Sequence, residues 1–312
     1  MNRMKMGKTL IAGIILSSLM LLIAVFGPLF APHGPKDQVK IEYVVVEGGD
    51  SYVYAPPISP GKDGYPLGTD KDGYDILTKL LYGARYTILL SLGIAAARLA
   101  AGGLIGMLLG YFGKPTSKKS SGSSVWSVLN GIPTFLIVWL VMLGITMNPA
   151  ASPIAMSLLL AGVLTLLGIP SIASTVREKT IVLRERQFVT AAEALGAGRW
   201  KVIGSHLLPH LKEAFLILLL QEVILVLSLF GQLALFHIFV GGTTEYFDPI
   251  EYHSRTNEWG GLIGQARGSF YANQWIFYSP LCAYVLLLIS LHLLSKGLEK
   301  RYNRMFSNFS HL

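Results

Sequence analysis

Gln187-Phe-Val-Thr-Ala-Ala-Glu-Ala-Leu-Gly196-Ala-Gly-Arg-Trp-Lys-Val-Ile-Gly-Ser-His206-Leu-Leu-Pro209 is the longest soluble-looking helical pattern in a chain that is otherwise mostly apolar. Phe188, Ala191, Ala192 and Leu195 fall at i, i+3, i+4 and i+7, one face of a short helix. Gly196-Ala-Gly198 interrupts it, because glycine destabilises a helix interior. Trp200, Ile203 and Leu207 begin a second apolar face flanked by Arg199 and Lys201. Pro209 is expected to close the segment by biasing Leu208 away from helical geometry. Ala191, Ala192, Ala194 and Gly196 keep the first face small. Small side chains admit a closely packed neighbour, whereas a helix lying flat on lipid favours bulky apolar residues. The pattern alone leaves two readings open: a helix that docks into a protein groove, or an interfacial hairpin between two spans.

The surrounding chain is membrane-like. Of its 312 residues 52% are hydrophobic and only 14% charged, with a mean hydropathy of +0.51, against about 25% charged in ordinary globular domains. Arg3, Lys5 and Lys8 precede an apolar run from Leu10 to Phe26 that continues to about Phe30. It exceeds the apolar core of a cleavable signal and lacks an Ala-x-Ala site, so a retained first transmembrane helix is expected. Further spans are read at Thr87–Tyr111, Val125–Met147 (bent at Gly131-Ile-Pro133), Pro153–Ser174, Glu213–Val240 and Ile276–Leu294. Gly102 and Gly106 form a small-xxx-small pair suited to close helix packing. Prolines such as Pro133 and Pro170 are tolerated in spans whose neighbours satisfy the freed backbone. The expected class is thus an all-α polytopic membrane protein with six transmembrane helices. Cys282 stands alone, which excludes an intramolecular disulfide.

Two polar segments interrupt the spans on one side. In the first, Lys40-Ile-Glu-Tyr-Val-Val-Val and Ser51-Tyr-Val-Tyr flank Gly48-Gly-Asp50, which reads as a small β-hairpin. It continues Tyr65-Pro-Leu-Gly-Thr-Asp70-Lys-Asp-Gly-Tyr-Asp75 and reaches Tyr82-Gly-Ala-Arg85. Asp70, Asp72 and Asp75 suggest calcium, but an EF-hand needs Gly at its sixth place and Glu at its twelfth, where this chain has Asp75 and Leu81. The second polar segment, 241–275, contains Trp259-Gly260 and Ala266-Arg267. The seven histidines are scattered, and no His-Glu-x-x-His, Walker lysine loop or cysteine pair is present. No metal or cofactor is therefore expected on this chain.

Two stretches resemble one family. Ala191-Ala192, Gly196 and Leu208-Pro209 are similar to the Glu-Ala-Ala loop of binding-protein-dependent ABC import permeases, with Thr190 where the first Glu usually stands and Glu193 displaced. Pro66, Leu67, Gly68, Thr69, Asp70, Gly73, Asp75 and Arg85 resemble the Pro-Leu-Gly-Thr-Asp motif of its di/oligopeptide–nickel branch, with Tyr74 replacing the usual Arg. The resemblance implies a type I ABC importer permease fold in a bacterial cytoplasmic membrane. It implies a 187–209 coupling helix in which Ala191, Ala192, Glu193, Gly196, Leu208 and Pro209 meet an ATPase. The implied partners are a second homologous permease, two cytoplasmic ATPase subunits carrying ATP and Mg, and an extracytoplasmic solute-binding protein. Peptides lead as substrate, with nickel or a nickel chelate as the alternative. The organisation that follows is 1–30 as N-terminal segment and first helix, 31–86 as extracytoplasmic loop with hairpin, 87–295 as permease core with outer loop 241–275, and 296–312 as basic tail. The end of the fifth span, Phe230-Gly-Gln-Leu-Ala-Leu-Phe-His237, departs from the family's Leu-Gly-Leu-Gly pattern.

Charge distribution orients the chain. The N-terminus, 114–119, 177–212 and the tail hold three, three, seven and four Lys or Arg, against six and two in the long loops, while twelve of the 18 acidic residues lie in those loops. Positive-inside counting then places both termini in the cytoplasm. This topology accounts for the net charge of +8 without nucleic acid. Arg98 and Glu222 are intramembrane charges at depths that match if the two spans lie side by side. They are a candidate pair, or separate groups facing a wet path. In the alternative of a stand-alone secondary transporter or channel, they would form an ion relay, but such proteins often show inverted repeats and none is evident. An enzyme is not expected, since no nucleophile–base or metal pattern occurs.

Overall fold

The computed structural model describes residues 7–45, 51–113 and 132–309. It is helical apart from two small hairpins. The helices are α1 (Lys8–Phe26), α2 (Ile76–Phe112), α3 (Thr134–Thr146), α4 (Pro153–Arg184), α5 (Gln187–Ala194), α6 (Arg199–Val202), α7 (Leu208–Leu235), α8 (Trp259–Gln265) and α9 (Gln274–Phe309). Five helical stretches are long and apolar enough to cross a membrane: Lys8–Phe30, Ile76–Phe112, Pro153–Arg184, Arg199–Leu235 and Gln274–Asn303. The expected third span is represented by the shorter apolar α3; its first part, 125–131, lies outside the described residues.

The centre of the bundle is the pairing of α2 with α4. A Cβ at Gly106 would stand 2.5 Å from the Ala173 carbonyl oxygen, one at Gly102 2.8 Å from the Ile172 Cβ, and one at Gly110 2.6 Å from the Thr180 Cβ. One glycine per turn thus lets the two backbones nearly touch, as the Gly102/Gly106 spacing suggests. Leu160, Leu164, Val226, Leu227, Phe230 and Leu233 close the adjoining core with α7. At the other flank α1 packs on α9. There a Cβ at Gly13 would lie 2.4 Å from the Leu294 nitrogen and one at Gly297 2.6 Å from the Leu10 Cα.

Several boundaries differ from the sequence reading. α2 begins at Ile76, capped by Asp75 through the Leu77 and Thr78 N–H groups, so the boundary expected at residue 86 falls inside one 37-residue helix. At about 1.5 Å per residue it is about 55 Å long, well beyond the roughly 30 Å of hydrocarbon in a bilayer. Likewise α9 runs through residue 296 without a break. Pro209 does not close its segment. Leu208 is helical (φ −58°, ψ −43°), and its N–H bonds the Ile203 carbonyl across a π turn, Ile203–Leu207. Pro209 then falls in the first turn of α7, where a missing donor costs nothing. The fifth span ends earlier than Val240: α7 stops at Leu235, and His237 turns the chain with φ +59°.

The expected hairpin is present as β1 (Glu42–Val45) against β2 (Ser51–Tyr54), with Glu42 opposite Tyr54 and Tyr43 opposite Val53. A second hairpin, β3 (Thr243–Phe247) with β4 (Ile250–Ser254), was not foreseen. Asn148 anchors it to the α3–α4 link: its N–H donates to the Thr243 carbonyl at 2.8 Å and its Oδ1 accepts from the Glu245 N–H at 2.9 Å. α8 lies against the first turns of α2. The Trp259 indole Nε1 donates to the Leu80 carbonyl at 2.9 Å, and the Trp259 backbone N–H to the Thr87 Oγ1 at 2.9 Å.

Glu258 caps α8, accepting from the Gly260 and Gly261 N–H groups at 2.8 and 2.6 Å, and is fully buried. Burial pushes its carboxyl from 4.5 up to about 7, against the pull of those N–H bonds. The folded state therefore holds this proton more tightly than the unfolded chain. The stabilising contribution is complete below the unfolded value and is lost as pH rises through about 7. Glu258→Gln should flatten this dependence: between about pH 5 and about pH 8, the thermal midpoint of the detergent-purified wild type should fall more than that of the variant. In the packing of α2 on α4, Gly106→Val should destabilise by at least about 1–3 kcal/mol, an overpacking cost read as a lowered midpoint.

Candidate functional site

The stretch from 187 to 209 forms a ledge at the end of the bundle opposite the hairpins. α5 ends in a Schellman turn: the Gly196 N–H bonds the Glu193 carbonyl at 3.0 Å, the Ala197 N–H bonds the Ala192 carbonyl at 3.0 Å, and Gly196 takes φ +82°. That conformation is the local reason for a glycine here. Val189 and Ala192 are buried. Val189 packs with Val202, Ile203 and Leu207 against Met107, Ile172 and Val176. Ala191, Gly196, Leu208 and Pro209 are exposed. Of the Phe188/Ala191/Ala192/Leu195 stripe read from spacing, Ala192 is buried and Phe188 is half-buried against the same cluster, while Ala191 and Leu195 are exposed. Leu195 and Trp200, one from each apolar face, are 89% and 71% exposed.

Glu193 is exposed but reaches the end of α2. Its Oε1 accepts from the Tyr111 hydroxyl at 2.8 Å, and Arg184 sits over the Tyr111 ring at 5.5 Å. These residues border a cavity of about 380 Å³ with Phe112, Ala197 and Arg199. Tyr111, at the last turn of α2, was not singled out by the sequence; its partner lies 82 residues away, and no local pattern signals such a contact.

Arg98 and Glu222 do meet. Arg98 Nη1 donates to Glu222 Oε2 at 3.0 Å, and Arg98 Nε and Nη2 donate to the Leu164 carbonyl at 2.9 and 2.6 Å. Arg98 is 1% exposed and Glu222 8%. Gly168 makes this possible, since a Cβ there would stand 2.2 Å from Arg98 Nε. One guanidinium thus ties α2 to α4 and α7. Leu164 and Gly168 carry no sequence signal for this role.

At the hairpin end, the residues of the Pro66–Arg85 motif build a turn. Gly68 (φ +75°) lies against the Ile58 carbonyl and the Trp275 indole, and Gly73 (φ +86°) against Val39. Thr69 Oγ1 accepts from the Ile58 N–H at 2.8 Å. Asp70 Oδ1 accepts from the Asp72 and Tyr74 N–H groups at 3.1 and 2.9 Å, and its other oxygen pairs with Lys79. Asp75 caps α2, and Arg85 lies over the Tyr82 and Tyr86 rings. Pro66 is exposed and Leu67 half-buried. Asp70 and Asp75 are therefore occupied by backbone N–H groups, Lys79 and the Thr78 hydroxyl.

The structure is a bundle of apolar helices long enough to cross a membrane, with an exposed ledge between two of them, and the sequence comparison gives the family. Residues 102–304, more than half of the chain, match the family described as binding-protein-dependent transport system inner membrane component, and the chain belongs to that family. Its relatives include the dipeptide transport system permease protein DppC of Alkalihalophilus pseudofirmus, 24% identical over 304 residues (96% of this chain, 86% of the relative). The di/tripeptide transport system permease protein DppC of Pseudomonas aeruginosa is 22% identical over 306 residues (96% and 89%). The dipeptide transport system permease protein DppC of Haemophilus influenzae is 24% identical over 300 residues (95% and 90%). The protein is thus a membrane transport subunit, and the resemblance to ABC import permeases holds along nearly its whole length.

The Arg98 cluster yields a direct test. Arg98→Met leaves Glu222 buried without its partner and should cost about 3–5 kcal/mol, whereas Arg98→Met with Glu222→Leu should recover most of it. Thermal unfolding of the three variants in lipid nanodiscs measures the coupling. If the pair is a weld and not a relay, the double variant should also regain uptake.

Proposed function

We propose that this chain is a permease subunit of an ATP-driven importer of di/oligopeptides. It works by alternating access, with the 187–209 ledge as the contact for a cytoplasmic ATPase. The observation that carries this reading is the exposure of Leu195 and Trp200 beside Ala191 and Gly196, between two membrane helices. Large apolar side chains exposed together with small ones on a packed base suit a docking surface. The chain has no nucleotide-binding motif of its own, so hydrolysis falls to partner subunits bearing ATP and Mg. The peptide class is carried over from the named relatives.

In this mechanism the ATPase pair closes, drawing the ledges of this chain and a second, homologous permease together. The spans then rock from inward- to outward-facing. Moving such an equilibrium from about 1:99 to about 99:1 takes about 5.5 kcal/mol of differential binding. The Glu193–Tyr111 hydrogen bond and the Val189 packing supply a stiff link from ledge to α2. An extracytoplasmic solute-binding protein would deliver substrate at the hairpin end. The excess of Lys and Arg in the N-terminus, 114–119, 177–212 and the tail supports a topology with both termini in the cytoplasm. The stand-alone relay is disfavoured by the geometry of Arg98, whose donors are taken up by Glu222 and a backbone carbonyl.

Leu195→Glu places a charge on the ledge at a position with no folding role, so membrane insertion and yield should match wild type. Peptide uptake in cells and co-purification with the ATPase should both be lost. Gly196→Asp should also abolish uptake, partly through strain at φ +82°. Wild-type uptake by Leu195→Glu would remove the ledge from the mechanism.

A further inference from the structure

The hairpin end brings together three groups that the family motif does not explain. Asp72 lies on the turn between the motif residues Asp70 and Gly73; Glu251 and His253 lie two residues apart on β4, so both side chains stand on one face of that strand. His253 reaches both carboxylates, with Nδ1 3.5 Å from Asp72 Oδ2 and Nε2 3.2 Å from Glu251 Oε2. One ligand atom from each of the three residues lies within 4.8 Å of the others, and all three side chains are half-buried. The Asp72 backbone is fixed by Gln38, whose Nε2 donates to its carbonyl at 2.6 Å, and the Tyr246 ring stands edge-on to His253 at 5.0 Å.

We infer that Asp72, Glu251 and His253 form a binding site for a first-row divalent cation such as Zn²⁺, which staples the β3–β4 hairpin to the motif turn. The donor set selects the class. One imidazole nitrogen and two carboxylates suit zinc-like ions and leave a position for water, whereas Ca²⁺ takes six to eight oxygens. Charge favours a cation as well. Among the described residues, Asp70, Asp72 and Glu251 meet two lysines, Lys71 on Glu251 and Lys79 on Asp70, so three carboxylates share two positive charges. Lys71, partly exposed and paired with Glu251, competes with a metal ion for that carboxylate.

The experiment is calorimetric titration of Zn²⁺ into the full chain, without a polyhistidine tag, in lipid nanodiscs. It is run at about pH 7.5, and wild type should bind one equivalent. Asp72→Asn and His253→Ala should each weaken binding by at least about tenfold, while His33→Ala should not. Metal-free thermal midpoints of the variants show whether the fold persists. Lys71→Met, which removes a competing charge and no ligand, should tighten binding. Absence of binding in wild type, unchanged affinity in folded His253→Ala, loss in His33→Ala, or weakened binding in Lys71→Met would each overturn the assignment.

Discussion

The contact on which the rest depends is the near-touching of two backbones, α2 and α4, through glycines on both helices. Gly102, Gly106 and Gly110 bring α2 against Ile172, Ala173, Val176 and Thr180, and Gly168 opens the space through which Arg98 crosses to the Leu164 carbonyl. In lipid there is little hydrophobic force to hold helices together, so close dispersion contact and satisfied polar groups must do it. Moving the backbones apart by one methyl group would take Arg98 off the carbonyl and loosen its hold on Glu222. A guanidinium stranded there has no water to turn to. The glycine ridge and the ion pair are therefore one device.

That device makes α2 a continuous mechanical element. Its first turn is capped by Asp75 and clasped by Trp259, its middle carries Arg98, and its last turn holds Tyr111 against Glu193. The same helix thus touches the hairpin end, the intramembrane weld and the ledge. The motif residues at one end serve to start this rod at a fixed point: Gly68, Thr69, Asp70 and Gly73 are consumed in building the turn that delivers Asp75.

What was legible in the sequence follows from the range of the forces that decide it. Span existence rests on long apolar runs and was readable, as were the Gly102/Gly106 packing face, the pairing of β1 with β2, and the depth match of Arg98 with Glu222. Boundaries were not. Pro209 sits inside a helical run because a π turn precedes it, and nothing in Ile203–Leu207 announces that turn. The inward face of α5 was not legible either, because Val189 finds its partners on other helices. The β3–β4 hairpin did leave a signal, aromatic and β-branched residues either side of Asp248-Pro249, masked by reading 241–275 as one loop. The Tyr111–Glu193 bond and the Asp72–His253 approach join residues 82 and 181 positions apart, beyond any local pattern.

Leu195 and Trp200 also bear on the life of the newly made chain. Until a partner covers them, two bulky apolar side chains stand exposed on the ledge, the kind of surface that chaperones and quality-control proteases bind. On the proposed reading, an orphan copy made in excess of its motor carries its own degradation mark, and complex formation erases it. Subunit stoichiometry would then be balanced after translation by the same few ångströms of ledge, without any dedicated regulator.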